Sequence, residues 1–389
     1  MFRSFVPREA LDTMDESVTN RRRHVTVTAH SARRKLYELE VVRVLTFACV
    51  IAVHVISHTS RGSVPIVASL TLLHFTREVF FALTGFVLTF SYLRKPKPMR
   101  QFWPKRFLLV GVPYVVWSFV YCVISAIGKP FDLGGFVLHF LYATLTGTAY
   151  YHLYFLLVTM QIYLLFPLLI ALVKATRRWH WQLVALAFAV QLTISALDAY
   201  KPGSLHWINL FSNVINYQAF IIGGAVAAYH SDAALQWVRD HLRLIAIVTP
   251  IAAAAAIGVY LLQLQWGYSA YRAATAYQPV VIAWSVVAGV ALLAIGAWWV
   301  DRNPSAPHRA LDYLSDRSFG VFLAHPLVLW TLLGLTGALL GSWPPLISTL
   351  VAYPIVALGA LGIADGARRS ILSLPLAGRP RTSRRKNNP

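Results

Sequence analysis

Apolar positions along this chain gather into long runs, not into the alternating or 3.6-residue stripes of a water-soluble fold. Ten runs come close to or exceed the roughly 20 residues that a helix needs to cross hydrocarbon: 39–58, 70–93, 107–127, 150–173, 181–199, 212–230, 244–264, 277–300, 318–340 and 344–366. Gly and Pro interrupt several of them, which a helix among other helices in lipid tolerates. The stretch FDLGGFVLHFLYATLTG (131–147) is too mixed to span and reads as an interfacial or re-entrant helix. The pattern predicts an all-α integral membrane protein of about ten transmembrane helices over 36–366. A disordered basic arm (1–35) and a disordered basic tail (367–389) flank it.

Composition agrees: 57% of the 389 residues are hydrophobic, only 13% are charged, and mean hydropathy is +0.57, whereas a soluble domain carries roughly 25% charged residues. The formal net charge of +20 would suit nucleic acid, but its distribution argues otherwise. With the N-terminus inside, 29 of the 35 Lys and Arg fall in inside segments, while the outside loops hold only Arg61, Lys129, Lys201 and Arg272. This asymmetry places both termini in the cytoplasm and assigns the basic charge to topology and anionic lipid. No nucleic-acid partner is expected. The arm contains RRRH but lacks the apolar core and small-residue cleavage site of a signal peptide. Cys49 and Cys122 both lie in apolar runs, which excludes a disulfide framework and a cysteine metal cluster. An Ala- and Arg-rich composition points to a high-GC bacterium, and so to a multi-pass protein of its plasma membrane.

Ionisable residues inside such spans are expensive and usually mark function. RVLTFACVIAVH is bracketed by Arg43 and His54, eleven positions apart. That is a rotation of about 1100°, only about 20° past three full turns, with a rise of about 16 Å. Both side chains therefore share one helix face, and His58 adds another turn to it. An arginine at the cytoplasmic end suits a phosphate, and a histidine deeper in suits a general base. The alternative is an interfacial arginine that snorkels to the headgroups and a histidine satisfied within the bundle. His54 and His58 have the spacing of a metal pair but no further ligand nearby, so no metal is expected.

Glu78, in HFTREVFFALTGF, is the acidic residue deepest in an apolar run, and is either an orienting or substrate-binding carboxylate or half of a structural ion pair. Adjacent Arg77 should point to a different face, so the partner of Glu78 is expected on another helix. Lys105 and Arg106 open the third span and suit either anionic phosphates or lipid headgroups. His152, Asn213 and His325 are further candidate substrate contacts, each with a purely structural alternative.

Six segments in order resemble the membrane-bound acyltransferase 3 family, in its compact form without a soluble domain. ELEVVRVLTFACVIAVH is similar to the family's first helix, and FFALTGFVLTFSY to its FF-x-x-S-G-F motif, with Thr84 in place of the serine. FWPKRFLLVGVPYVVWSFVY, YYHLYFLLVTMQIYLLFPLL, NYQAFIIGGAVA and YLSDRSFGVFLAHPLVL resemble its later motifs. Leu109 stands where many members carry a second arginine, so phosphate binding there would rely on Arg106 and Lys105 or on another contact. The resemblance implies transfer of an acyl group, usually acetyl, from cytoplasmic acyl-CoA. The acceptor would be a hydroxyl of a lipid-linked sugar, glycolipid or surface glycan on the outer side. His54 would be catalytic and Arg43 would contact acyl-CoA, a co-substrate and not a bound cofactor; on the reading of the residues above, Glu78 is the candidate carboxylate to assist His54. A transporter or flippase of a glycolipid or polysaccharide is the alternative, although no internal repeat is visible.

Overall fold

The computed structural model describes residues 36–130, 132–201, 203–205, 212–303 and 308–381. The arm expected over 1–35 lies outside the described residues, as does 382–389. In chain order the helices are α1 (Tyr37–Thr59), α2 (Val64–Leu73), α3 (Phe75–Arg94), α4 (Met99–Ala126), α5 (Leu133–Thr146), α6 (Tyr154–Ala175) and α7 (His180–Tyr200). A 3-10 turn (Val214–Tyr217) then leads into α8 (Gln218–Tyr229), α9 (Ser231–Asp240), α10 (Leu242–Gln265) and α11 (Ala270–Ala273). The last are α12 (Pro279–Arg302), α13 (Arg309–Ser342), α14 (Pro345–Arg369) and α15 (Ser373–Ala377). Among the described residues there is no strand, and nine helical stretches, α2–α3 counted as one, are long and apolar enough to cross a membrane. The protein is an all-α integral membrane protein.

Three expectations need correction. The sixth span, 212–230, is only the short apolar helix Val214–Tyr229. Its start is set by Asn213, whose side chain accepts a hydrogen bond from the Ile215 amide (3.0 Å), and by Gln161, whose side chain accepts from the Val214 amide (2.8 Å). Its sixteen residues reach only about 24 Å, yet the chain still returns across the bundle here, because His230, just past Tyr229, meets His180 at the start of α7 (2.9 Å). The second span is longer than expected, because α2 and α3 run on through His74. The tail is ordered as far as Arg381: α14 continues to Arg369, and the chain turns back through α15. Arg368 fixes this turn, donating to Ser373 Oγ (2.7 Å) and to the Pro380 carbonyl (2.8 Å). The segment expected to stay out of the span register is α5, capped by Asp132, which accepts from the Gly134 and Gly135 amides (3.1 and 2.8 Å), and closed by Gly147 at φ +78°.

The largest apolar cluster draws on α1, α3, α4, α6, α13 and α14. Lipid offers no hydrophobic gain for helix association, so close packing must supply the attraction. At the α3–α8 crossing two glycines do this reciprocally. A Cβ on Gly85 would stand 2.3 Å from the Ile221 carbonyl oxygen, and one on Gly224 2.0 Å from that of Ala82. The backbones therefore touch, and no side chain fits between them. By contrast α1 meets its neighbours mainly through side chains, which leaves room for cavities along it.

Gly224→Leu should lower thermal stability in detergent by roughly 3 kcal/mol or prevent folding, whereas Gly258→Leu, with nothing within 4 Å of its would-be Cβ, should melt like the wild type. Equal melting of the two variants would show that the α3–α8 contact does not hold the bundle together.

Candidate functional site

One face of α1 carries Arg43, Phe47, Val50, His54 and His58 at steps of three and four residues. This face lines two cavities in succession. Arg43 and Phe47 belong to a cavity of about 680 Å³, and Val50, His54 and His58 to one of about 350 Å³. Phe155 of α6 lines both. It is one of four phenylalanines packed ring against ring: Phe47–Phe80 centroids lie 5.7 Å apart, Phe80–Phe155 5.4 Å, Phe155–Phe322 5.7 Å and Phe322–Phe47 5.6 Å. Phe47, Phe80 and Phe155 line the larger cavity and Phe155 alone the smaller, so the ring cluster lies between the arginines of one and the histidines of the other.

At the histidine end, three imidazoles from three elements come together. The His54 ring lies 4.5 Å from that of Tyr151 and stacks 5.2 Å from that of His325 (interplanar angle 25°), and His325 stands 5.5 Å from His152. His152 and His325 are fully buried. His325 Nδ1 is 2.7 Å from the Phe322 carbonyl, which can only accept, so this nitrogen carries the proton. Nε2 is then the lone-pair nitrogen, buried without a hydrogen-bond partner. His58 Nδ1 donates to the His54 carbonyl (2.8 Å), and His74 Nδ1 to that of Ala274 (2.8 Å). His74 also lines the smaller cavity.

Glu78 is buried, and its carboxylate is paired with Arg77 at 2.7 Å, not with a group on another helix. The expected separation of neighbouring side chains holds for Cβ directions, but a guanidinium is long enough to fold back at the first turn of α3. Arg77 lines the smaller cavity, donates to the Ala276 carbonyl (3.0 Å) and lies over the rings of Tyr277 (4.6 Å) and Tyr217 (5.5 Å). Glu78 thus supports Arg77.

At the other end Arg43 pairs with Glu40 (2.8 Å) and reaches Ser315 Oγ (3.3 Å), while Ser315 also donates to Glu40. Arg106, Arg368 and Arg379 line the same cavity, together with Asp316. Asp316 receives Arg368 at 2.9 Å and Arg379 at 3.2 Å. Lys105 is exposed and lines neither cavity, and Asn213 is occupied as the cap described above. His74, Tyr151, Asp316, Arg368 and Arg379 were not singled out from the sequence, and Arg77 entered only as the neighbour of Glu78. Asp316 sits in the quoted YLSDRSFG, but Arg368 and Arg379 read there as ordinary basic flank.

The fold is a multi-pass helical bundle in which one face of α1 runs from a cavity lined by arginines to a cavity lined by histidines. A family model described as an acyltransferase domain matches residues 36–367. The chain belongs to the acyltransferase 3 family and is a membrane acyltransferase. No curated protein and no solved structure matches it.

Glu78→Ala should cost about 3–5 kcal/mol, because it strips a buried cation of its counter-ion. Arg77→Met/Glu78→Leu should recover most of that loss in a detergent melt. If the double variant melts no higher than Glu78→Ala, the stabilising role assigned to the pair is wrong.

Proposed function

We propose that this acyltransferase moves an acyl group, most simply acetyl, from acyl-CoA bound in the Arg43 chamber to an acceptor hydroxyl delivered to the His54 chamber. The observation that carries this reading is the single α1 face, with a guanidinium at one end, an imidazole about 16 Å further on, and only uncharged apolar side chains between. The CoA phosphates pair with the arginines, and the pantetheine arm passes the rings and brings the thioester to His54.

A nitrogen of His54 takes the proton of the acceptor hydroxyl as its oxygen attacks the thioester carbonyl. The tetrahedral adduct collapses, the carbon–sulfur bond breaks, and the departing CoA thiolate takes the proton from the imidazolium. Tyr151 and His325, on either side of the His54 ring, hold it in place. The basic asymmetry of the loops favours a cytoplasmic Arg43 chamber and an outward His54 chamber. The acceptor is accordingly a lipid-linked sugar, glycolipid or surface glycan on the outer side of a bacterial plasma membrane.

Inverted membrane vesicles given labelled acetyl-CoA test this directly. Wild type should label a lipid or glycan fraction, and His54→Ala at matched abundance should be slower by about 10²–10⁴-fold. Arg43→Ala should instead raise KM for acetyl-CoA roughly tenfold or more, the usual loss for a charged hydrogen bond. Equal label with His54→Ala would remove His54 from the reaction. Acceptor movement without any dependence on acyl-CoA would favour a flippase.

A further inference from the structure

After α14 ends at Arg369, residues 370–381 turn back to the larger cavity, beyond the residues matched by the family model. This hook is built into the protein. Gly378 has φ +62°, a conformation that disfavours a side chain, and a Cβ there would stand 2.3 Å from the Phe319 ring and 2.7 Å from the Leu109 carbonyl oxygen. Trp117 Nε1 donates to the Leu376 carbonyl (3.2 Å), and Ser373 Oγ to that of Arg379 (2.7 Å). Ser373 and Ala377 are fully buried.

The hook brings Arg379 to the wall that Leu109, an uncharged residue, also lines. Arg368 and Arg379 differ in their engagement. Arg368 is buried and spent on Asp316, Ser373 and Pro380. The Arg379 side chain is 45% exposed and meets Asp316 through Nη1, so a guanidinium with five N–H donors retains capacity toward the cavity. With Arg43 and Arg106, the cavity presents four guanidiniums, against Asp316 on its wall and Glu40 paired with Arg43. A surplus of that size suits a ligand with several phosphate charges.

We propose that Arg379 is a phosphate-binding residue of the donor site, carried there by the C-terminal hook and oriented by Arg368 through Asp316. The proposal rests on the acyl-CoA reading above and adds a binding element to it. CoA carries a diphosphate and a 3′-phosphate. A lipid-linked sugar can also carry a diphosphate, so the two sources are compared side by side.

CoA and a polyprenyl diphosphate are each titrated into the purified full-length chain in detergent, for wild type, Arg379→Gln, Arg379→Lys and Gly378→Val. The expected result is CoA binding by wild type, at least tenfold weaker in Arg379→Gln and Gly378→Val, with partial rescue by Arg379→Lys. In vesicles, kcat/KM for acetyl-CoA relative to S-acetyl-N-acetylcysteamine, a thioester without phosphates, should fall about tenfold in Arg379→Gln. Wild-type CoA affinity in Arg379→Gln would overturn the proposal and leave the acyl-CoA reading standing. Loss of polyprenyl diphosphate binding alone would also overturn it, by moving the hook to the acceptor. Failure of wild type itself to bind CoA would remove both. Arg379→Gln changes a half-exposed side chain, so it tests the proposal even if Gly378→Val does not fold.

Discussion

A guanidinium at the centre of a bilayer costs at least about 2.5–3.5 kcal/mol, and the placement of the arginines that line the two cavities follows from that cost. Arg43, Arg106, Arg368 and Arg379 gather around one chamber, where Glu40 and Asp316 answer part of their charge. Arg77, the cation on the histidine side, is matched by Glu78 and by the faces of Tyr217 and Tyr277. Between the two groups stand Phe47, Phe80, Phe155 and Phe322, with no charge among them. Such a partition discriminates by solvation. An uncharged thioester arm loses little on passing between phenylalanine rings, whereas a phosphate would shed its water without compensation.

What could be read from the sequence was what depends on short-range periodicity. Spans, their apolar faces and the shared face of Arg43 and His54 all follow from a rise and rotation per residue, and α1 has no Gly or Pro to disturb them. What escaped depends on partners far along the chain. His74 is set by the Ala274 carbonyl, and Arg368 by Asp316. The tail looked disordered because its own composition is polar, but the groups that order it, Asp316, Phe319 and Trp117, lie on α13 and α4. Hydropathy likewise could not place the start of the short helix ending at Tyr229, which is set by the Asn213 cap and by Gln161 of α6. The Arg77–Glu78 pair escaped for another reason: the rule for neighbouring residues describes the start of a side chain, not the reach of an arginine.

The two ends of the site are secured differently. Around His54, rings pack on rings, and the fixed points are backbone carbonyls that hold Nδ1 of His58, His74 and His325. Each imidazole so held has its tautomer chosen for it, with Nε2 left as the basic nitrogen. Around Arg43 the fixed points are ion pairs, which tolerate small rearrangements as a charged ligand arrives.

Because Arg43 and His54 are carried by one uninterrupted helix, their axial separation does not vary with loop or domain movement. In the proposed reaction α1 then acts as a ruler: it measures from the phosphates to the point where the thioester carbonyl halts. The length of the acyl chain does not enter that measurement. In that reaction it is limited instead by the 350 Å³ of space beyond the rings, so that donor recognition and acyl-chain selection would be set by separate parts of the protein, free to change independently.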